Sequence, residues 1–265
     1  MILGGNIVLL APYLDILWDL CFDGGRTAGA TALAFCAALY FGWIRRQHLD
    51  FTTPNRQFVG LSGLLVTVLG YVLCVAIDLR VGAGVCATAA IAMQIYLLHG
   101  RHALRSFVIP LLLFLLATPI PGFVVDYLTH AILGTLMAVV PTLLSPFVSG
   151  PVIHEGYYLY LGDSAVVALV EDCSGLGGML LFVPLVVVLT EGFKLSLGRA
   201  ATLLASAVPL AYLASLARIL MTGLLANTGW ESPVWDTVHE ASGVFTLACA
   251  MAVLFFVASK LRKRA

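Results

Sequence analysis

The sequence predicts an all-α polytopic membrane protein: about eight transmembrane helices, a peripheral helix and a short external β-like region at 145–173. Three observations carry that prediction. Of the 265 residues, 61% are hydrophobic and only 11% are charged, whereas soluble domains average roughly 45–50% apolar and about 25% charged. Apolar runs of about 20 residues, the length that crosses a bilayer core, recur along the chain, and the mean hydropathy is +1.01. Lys and Arg fall mostly in alternate loops between those runs, the asymmetry that orients membrane helices.

The runs lie near 6–22, 28–44, 58–77, 83–98, 105–122, 175–190, 200–222 and 240–258. The first contains Asp15 and Asp19, with no basic region before it and no small-residue cleavage site, so it reads as a retained helix rather than a secretory signal. A further apolar run at 127–144 is bracketed by Pro119, Pro121, Pro141 and Pro146. Prolines there favour helix ends and turns, so this run is expected as a peripheral or interfacial helix. The stretch 145–173 has no Lys or Arg, and its tyrosines, β-branched residues and Gly162-Asp163 turn suggest short strands on the membrane surface.

Orientation follows from Arg45, Arg46, Arg56, Arg101, Arg105, Lys194, Arg199, Lys260, Arg262, Lys263 and Arg264, which are 11 of the 14 basic residues and fall to one side. That side is expected to be cytoplasmic, which places both termini there and leaves Arg26, Arg80 and Arg218 toward the other face. The balance of 14 basic and 14 acidic residues, with no basic patch, excludes a nucleic-acid partner. No cofactor is expected, since no Gly-rich phosphate loop is present. No metal is expected either: His154-Glu155 and His239-Glu240 lack the second histidine of a zincin helix, and joining them with Cys173 into a zinc site finds no support in ligand spacing.

Chemistry concentrates in "VEDCSGLGG", residues 170–178. Of six cysteines, Cys21, Cys36, Cys74, Cys86 and Cys249 sit in or at the ends of apolar runs, where cysteine behaves as a small hydrophobe. Cys173 alone has polar, glycine-rich neighbours. An ionisable residue inside a spanning helix marks a functional site by default, and Arg218 in "YLASLARILMTGLLA" is the clearest case. Its alternative is an arginine that snorkels to the interface. The 18 steps from Ala200 to Arg218 rise about 27 Å, close to the hydrocarbon thickness. Arg218 is therefore expected at the depth of Cys173, and His239 opens the last helix from the same side.

A thiol attacks only as thiolate, and its unperturbed pKa is about 8.5. Glu171 and Asp172 push that value up by like-charge repulsion. The following helix N-terminus, Arg218 and a protonated His239 oppose them. His239 can protonate a leaving amine, and Arg218 can stabilise an oxyanion or dock a carbonyl. Gly175, Gly177 and Gly178 permit close approach of a substrate backbone or a helix. Taken singly, Cys173 also reads as a packing cysteine and His239 as a helix-starting residue. The catalytic set is thus Cys173, Arg218 and His239, with Glu171, Asp172, Ser174, Gly175 and Asp236 in supporting places.

"EDCSGLGG", "LARIL" and "HEASGVF", preceded by "LLLFLLATPIPGFVVDYLT", resemble the signature segments of the exosortase/archaeosortase family over roughly residues 105–258. The resemblance implies a single integral membrane domain over 1–265, with N-terminal helices at 1–104 and a catalytic core at 105–258. It also implies a cysteine peptidase/transpeptidase of the cytoplasmic (inner) membrane whose catalytic residues are Cys173, Arg218 and His239. Its partners would be secreted proteins ending in a motif, a hydrophobic helix and a basic cluster, together with the lipid bilayer and an amine acceptor. Two departures stand next to the nucleophile and the arginine. Gly177-Gly178 replaces the Arg-Ser of many members, and Ser215-Leu216-Ala217 stands where many have Asn before the arginine.

Two other classes compete. A transporter would line a polar path with Arg218, Glu171 and Asp172, but such folds carry repeats with broken helices near the midplane, and no repeat is visible. A non-catalytic scaffold for surface-polymer assembly would need no activated thiol.

Overall fold

A computed structural model describes residues 13–15, 17–19, 21, 27–49, 57–148, 150–156, 158–162, 165–168, 175–226 and 234–263; the side chains of 48, 57, 165–168, 226, 234–240 and 263 lie outside that description. The expected 6–22 helix and the segment 169–174 fall mostly or wholly outside the described residues. The rest is helical apart from one small sheet, and the chain forms two compact units, Met1–Pro121 and Gly122–Ala265. Seven helices among the described residues are long and apolar enough to cross a membrane. The protein is a polytopic all-α membrane protein.

The first unit holds α1 (Ala28–Arg45), α2 (Gln57–Ala76), α3 (Arg80–Ser106) and α4 (Val108–Leu116). Helices α2 and α3 form a tight hairpin, closed by Leu79 N–H donating to Cys74 O at 2.8 Å. The backbone leaves helical geometry at Gly100, where φ is 78° and ψ −176°, a combination open essentially to glycine. That break ends the span begun at Arg80. The expected 105–122 run is divided separately, at Phe107 (φ −94°, ψ 6°), which caps α3 and precedes α4; α4 has 9 residues, too few to cross a bilayer alone. The core of this unit gathers Tyr13, Leu17, Ala34, Tyr71, Ala83, Ala87 and Ala117. At one end Arg45 Nη1 donates to Ser106 O, and Arg46 stacks 3.6 Å from the Trp43 ring centroid.

The second unit opens with α5 (Gly122–Leu144), 23 residues long and apolar enough to span. The run expected as a peripheral helix at 127–144 is thus part of a longer helix that has the length and composition to cross a bilayer. Pro119 and Pro121 precede the helix, and Pro141 falls in its last turn, where it removes one hydrogen bond without ending the helix. Three strands follow, β1 (Val152–Glu155), β2 (Tyr158–Leu161) and β3 (Ala165–Ala168), in an antiparallel sheet of order β1-β2-β3. The registers pair Val152 with Leu161 and Leu161 with Ala165. The expected strands are therefore present within 145–173, with Gly156 and Gly162 at φ 59° at the turns.

Helices α6 (Leu176–Phe193), α7 (Leu197–Ala226) and α8 (Val234–Lys263) complete the unit. Their shared core holds Phe182, Val186, Leu203, Ala207, Ala211, Ala250 and Leu254. A second core joins Leu136, Val140 and Leu144 of α5 to Leu159 and Leu161 of β2 and Ile219 of α7. Alternation in β2 buries those two leucines and leaves Tyr158 exposed. Large apolar side chains such as Phe123, Leu213, Val244, Phe245 and Phe255 remain exposed, as suits helices whose outer faces meet lipid.

Candidate active site

The site region lies at one end of the α6–α7–α8 bundle. Helix α6 begins at Leu176, within one residue of the 175–190 run expected from the sequence, because Gly175 stands outside it in the left-handed region at φ 73° and ψ 6°. Gly175 O accepts from Met179 N–H at 3.0 Å, so Gly175 is the N-cap of an 18-residue helix. The positive end of that helix lies at Gly175.

Two glycine contacts join three segments that are far apart in sequence. A Cβ on Gly175 would overlap Ser215 Oγ and lie 2.7 Å from Ser215 Cβ on α7. Ser215 is buried, and its hydroxyl donates to Ala211 O at 3.0 Å. Three residues on, Arg218 lies on the same α7 face as Ser215 and the buried Thr222, a spacing of three and then four residues. Arg218 is half-buried with a buried Nε, and its guanidinium lies against α8. A Cβ on Gly243 would stand 2.9 Å from Arg218 Cζ and 3.0 Å from Nε. Where α6 meets α8, a Cβ on Gly178 would be at ordinary contact, 3.5 Å, from Leu247 Cδ1.

The remaining members follow from chain connectivity. His239 belongs to α8, four residues before Gly243, or about 6 Å along the axis; Asp236 lies one turn earlier on the same helix. The side chains of both lie outside the described residues. So do Glu171, Asp172, Cys173 and Ser174, which lead directly into Gly175. Thus Arg218 and Gly175 are joined through Ser215, and the helix bearing His239 meets Arg218 at Gly243.

Beside Arg218, Ile219 is packed with Leu159 and Leu161 of the sheet, so the sheet caps this end of α7. At the opposite end of the bundle Arg262 stands 5.9 Å from the Phe193 ring centroid, next to Lys194 and one loop from Arg199. Among the described residues, the Lys and Arg of this unit other than Arg218 are therefore separated from Gly175 by about the length of α6, about 27 Å.

The structure adds residues to which the sequence gave no role: Ser215, Ser242, Gly243 and Thr246. Thr246 Oγ1 donates to Ser242 O at 2.9 Å and to Gly243 O at 3.1 Å. Such i−3 and i−4 bonding satisfies hydroxyls in an apolar setting. The signal available was periodicity: 239, 242, 243 and 246 share one face of a helix, as do 215, 218 and 222.

A family model described as transmembrane exosortase matches residues 26–256. None of the curated proteins and none of the solved structures matches the chain.

Proposed function

The chain belongs to the transmembrane exosortase family, and from that membership we propose that it is a membrane-embedded cysteine peptidase/transpeptidase. Its substrates are secreted proteins carrying a C-terminal motif, a transmembrane helix and a basic tail. The Cys173 thiolate attacks the scissile carbonyl, the C–N bond breaks, and His239 gives a proton to the leaving amine. The resulting thioester on Cys173 is resolved by water or by an amine acceptor. Arg218 holds the carbonyl or the developing oxyanion. Glu171, Asp172, Ser174, Gly175 and Asp236 shape the surroundings of the nucleophile and the histidine.

The observation that carries this reading is the pair of glycine contacts, Gly175 on Ser215 and Gly243 on Arg218. Cys173 is two residues from Gly175, a tether of at most about 7 Å. The guanidinium lies against a neighbouring helix, whereas a snorkelling arginine would extend to the interface. Placement in the cytoplasmic (inner) membrane, with the reactive end outside and both termini inside, draws support from Lys194, Arg199 and Arg262 at the far end of the bundle. A substrate's basic tail would stop on that same cytoplasmic side, leaving its motif outside beside Cys173.

Alkylation tests the nucleophile without any substrate. In a variant whose other five cysteines are replaced, the rate of reaction with iodoacetamide is measured from pH 5 to 10. An activated Cys173 stays reactive well below the ordinary thiol pKa of about 8.5. A profile that rises only around that value, as a transporter or a scaffold would give, removes Cys173 as nucleophile.

A further inference from the structure

We infer that Gly243 is a positioning residue for the reaction: its bare backbone is the seat on which the Arg218 guanidinium lies. The inference rests on the function proposed above. A Cβ at residue 243 would meet three atoms of the planar group at nearly equal distances: 2.9 Å to Cζ, 3.0 Å to Nε and 3.2 Å to Nη2. Near-equality means that α8 approaches the guanidinium by its face. A guanidinium donates only in its own plane, so seating it by the face fixes the direction in which its N–H groups point. The seat is itself held, since Thr246 Oγ1 bonds to the carbonyls of Ser242 and Gly243.

Any side chain at 243 would lift the guanidinium. Carbon–carbon contacts are most favourable at about 3.5–4.0 Å; from 2.9 Å, a methyl group displaces the flexible end of Arg218 by roughly 0.6–1 Å. Alanine nevertheless favours a helix over glycine. The Gly243→Ala protein is therefore expected to be as stable as wild type or more so, yet slower in turnover. A residue of purely structural importance would not separate those two quantities.

The test is a double-mutant cycle on processing in proteoliposomes. The probe is a reporter protein fused to a C-terminal motif–helix–basic tail that recurs among secreted proteins of the same genome. Gly243→Ala is expected to lower kcat on the order of 100-fold, the cost of about 1 Å of misplacement, with KM and melting temperature held. In an Arg218→Ala background the same change is expected to cost nothing further, because its target is gone. Wild-type kcat in Gly243→Ala, a matching fall in melting temperature, or an equal loss in both backgrounds overturns the inference while leaving the proposed function standing. Wild-type turnover by Arg218→Ala alone removes the arginine's proposed role, and the inference with it.

Discussion

Gly175 tests how the segment that carries the proposed nucleophile is attached to the bundle. Replacing it by alanine imposes two costs. A non-glycine residue at φ 73° pays about 1–2 kcal/mol for the left-handed conformation. The new Cβ also overlaps Ser215 Oγ, and rotating that hydroxyl away gives up its bond to Ala211 O, worth about 0.5–1.5 kcal/mol. Rotation does not remove the problem, because Ser215 Cβ would still stand 2.7 Å away, roughly 1 Å short of a favourable carbon–carbon contact. The backbone at 175 must shift by about that amount, and Cys173 is only two residues off. Misplacement of about 1 Å costs on the order of 100-fold in rate. Gly175→Ala should therefore lower processing of the reconstituted reporter at least 100-fold or so, while the protein still inserts. Ser215→Gly opens the space at a cost of less than about 1 kcal/mol in helix stability. The double variant Gly175→Ala/Ser215→Gly should then recover most of the lost turnover and keep only the backbone strain. Wild-type turnover by Gly175→Ala would refute the reasoning, as would the absence of any recovery in the double variant.

Three further outcomes are expected. Cys173→Ala and Cys173→Ser should abolish processing in folded, inserted protein, whereas replacing Cys21, Cys36, Cys74, Cys86 and Cys249 together should cost stability at most; full processing by Cys173→Ala would end the peptidase reading. Arg218→Lys should keep binding of the substrate helix but lose roughly 100- to 1000-fold in turnover, since lysine lacks the directional fork; near-normal turnover would make Arg218 an anchor and reduce the site to Cys173 and His239. Reporter fusions after residues 50 and 194 should read cytoplasmic and fusions near 155 external, and a cytoplasmic reading near 155 would dissolve the site assignment.

The membrane class was legible from the sequence because hydropathy is a local sum: α2, α6 and the later part of α8 are apolar runs whatever they pack against. The strands at 152–168 could be read for a related reason, since alternating side chains and the glycine turns act within a few residues. Cys173, Arg218 and His239 stood out because a polar group in an apolar chain is costly wherever it lies. What tertiary structure decided is which small residues matter and what they touch. Prolines at 119, 121 and 141 read as the limits of a surface helix, yet α5 begins after the first two and continues through the third, because neighbours on α7 and the sheet bury Leu136, Val140 and Leu144. Gly100 looked like one more glycine in an apolar run until its φ of 78° showed that it ends a span. Gly243 carried no signal of its own, and Ser215 stood out only as part of a departure from the family pattern: a glycine or serine in a membrane helix is common, and its meaning lies in the residue opposite. Contacts between 175 and 215, or 218 and 243, join segments at least 25 residues apart, and only the packing of three helices selects them.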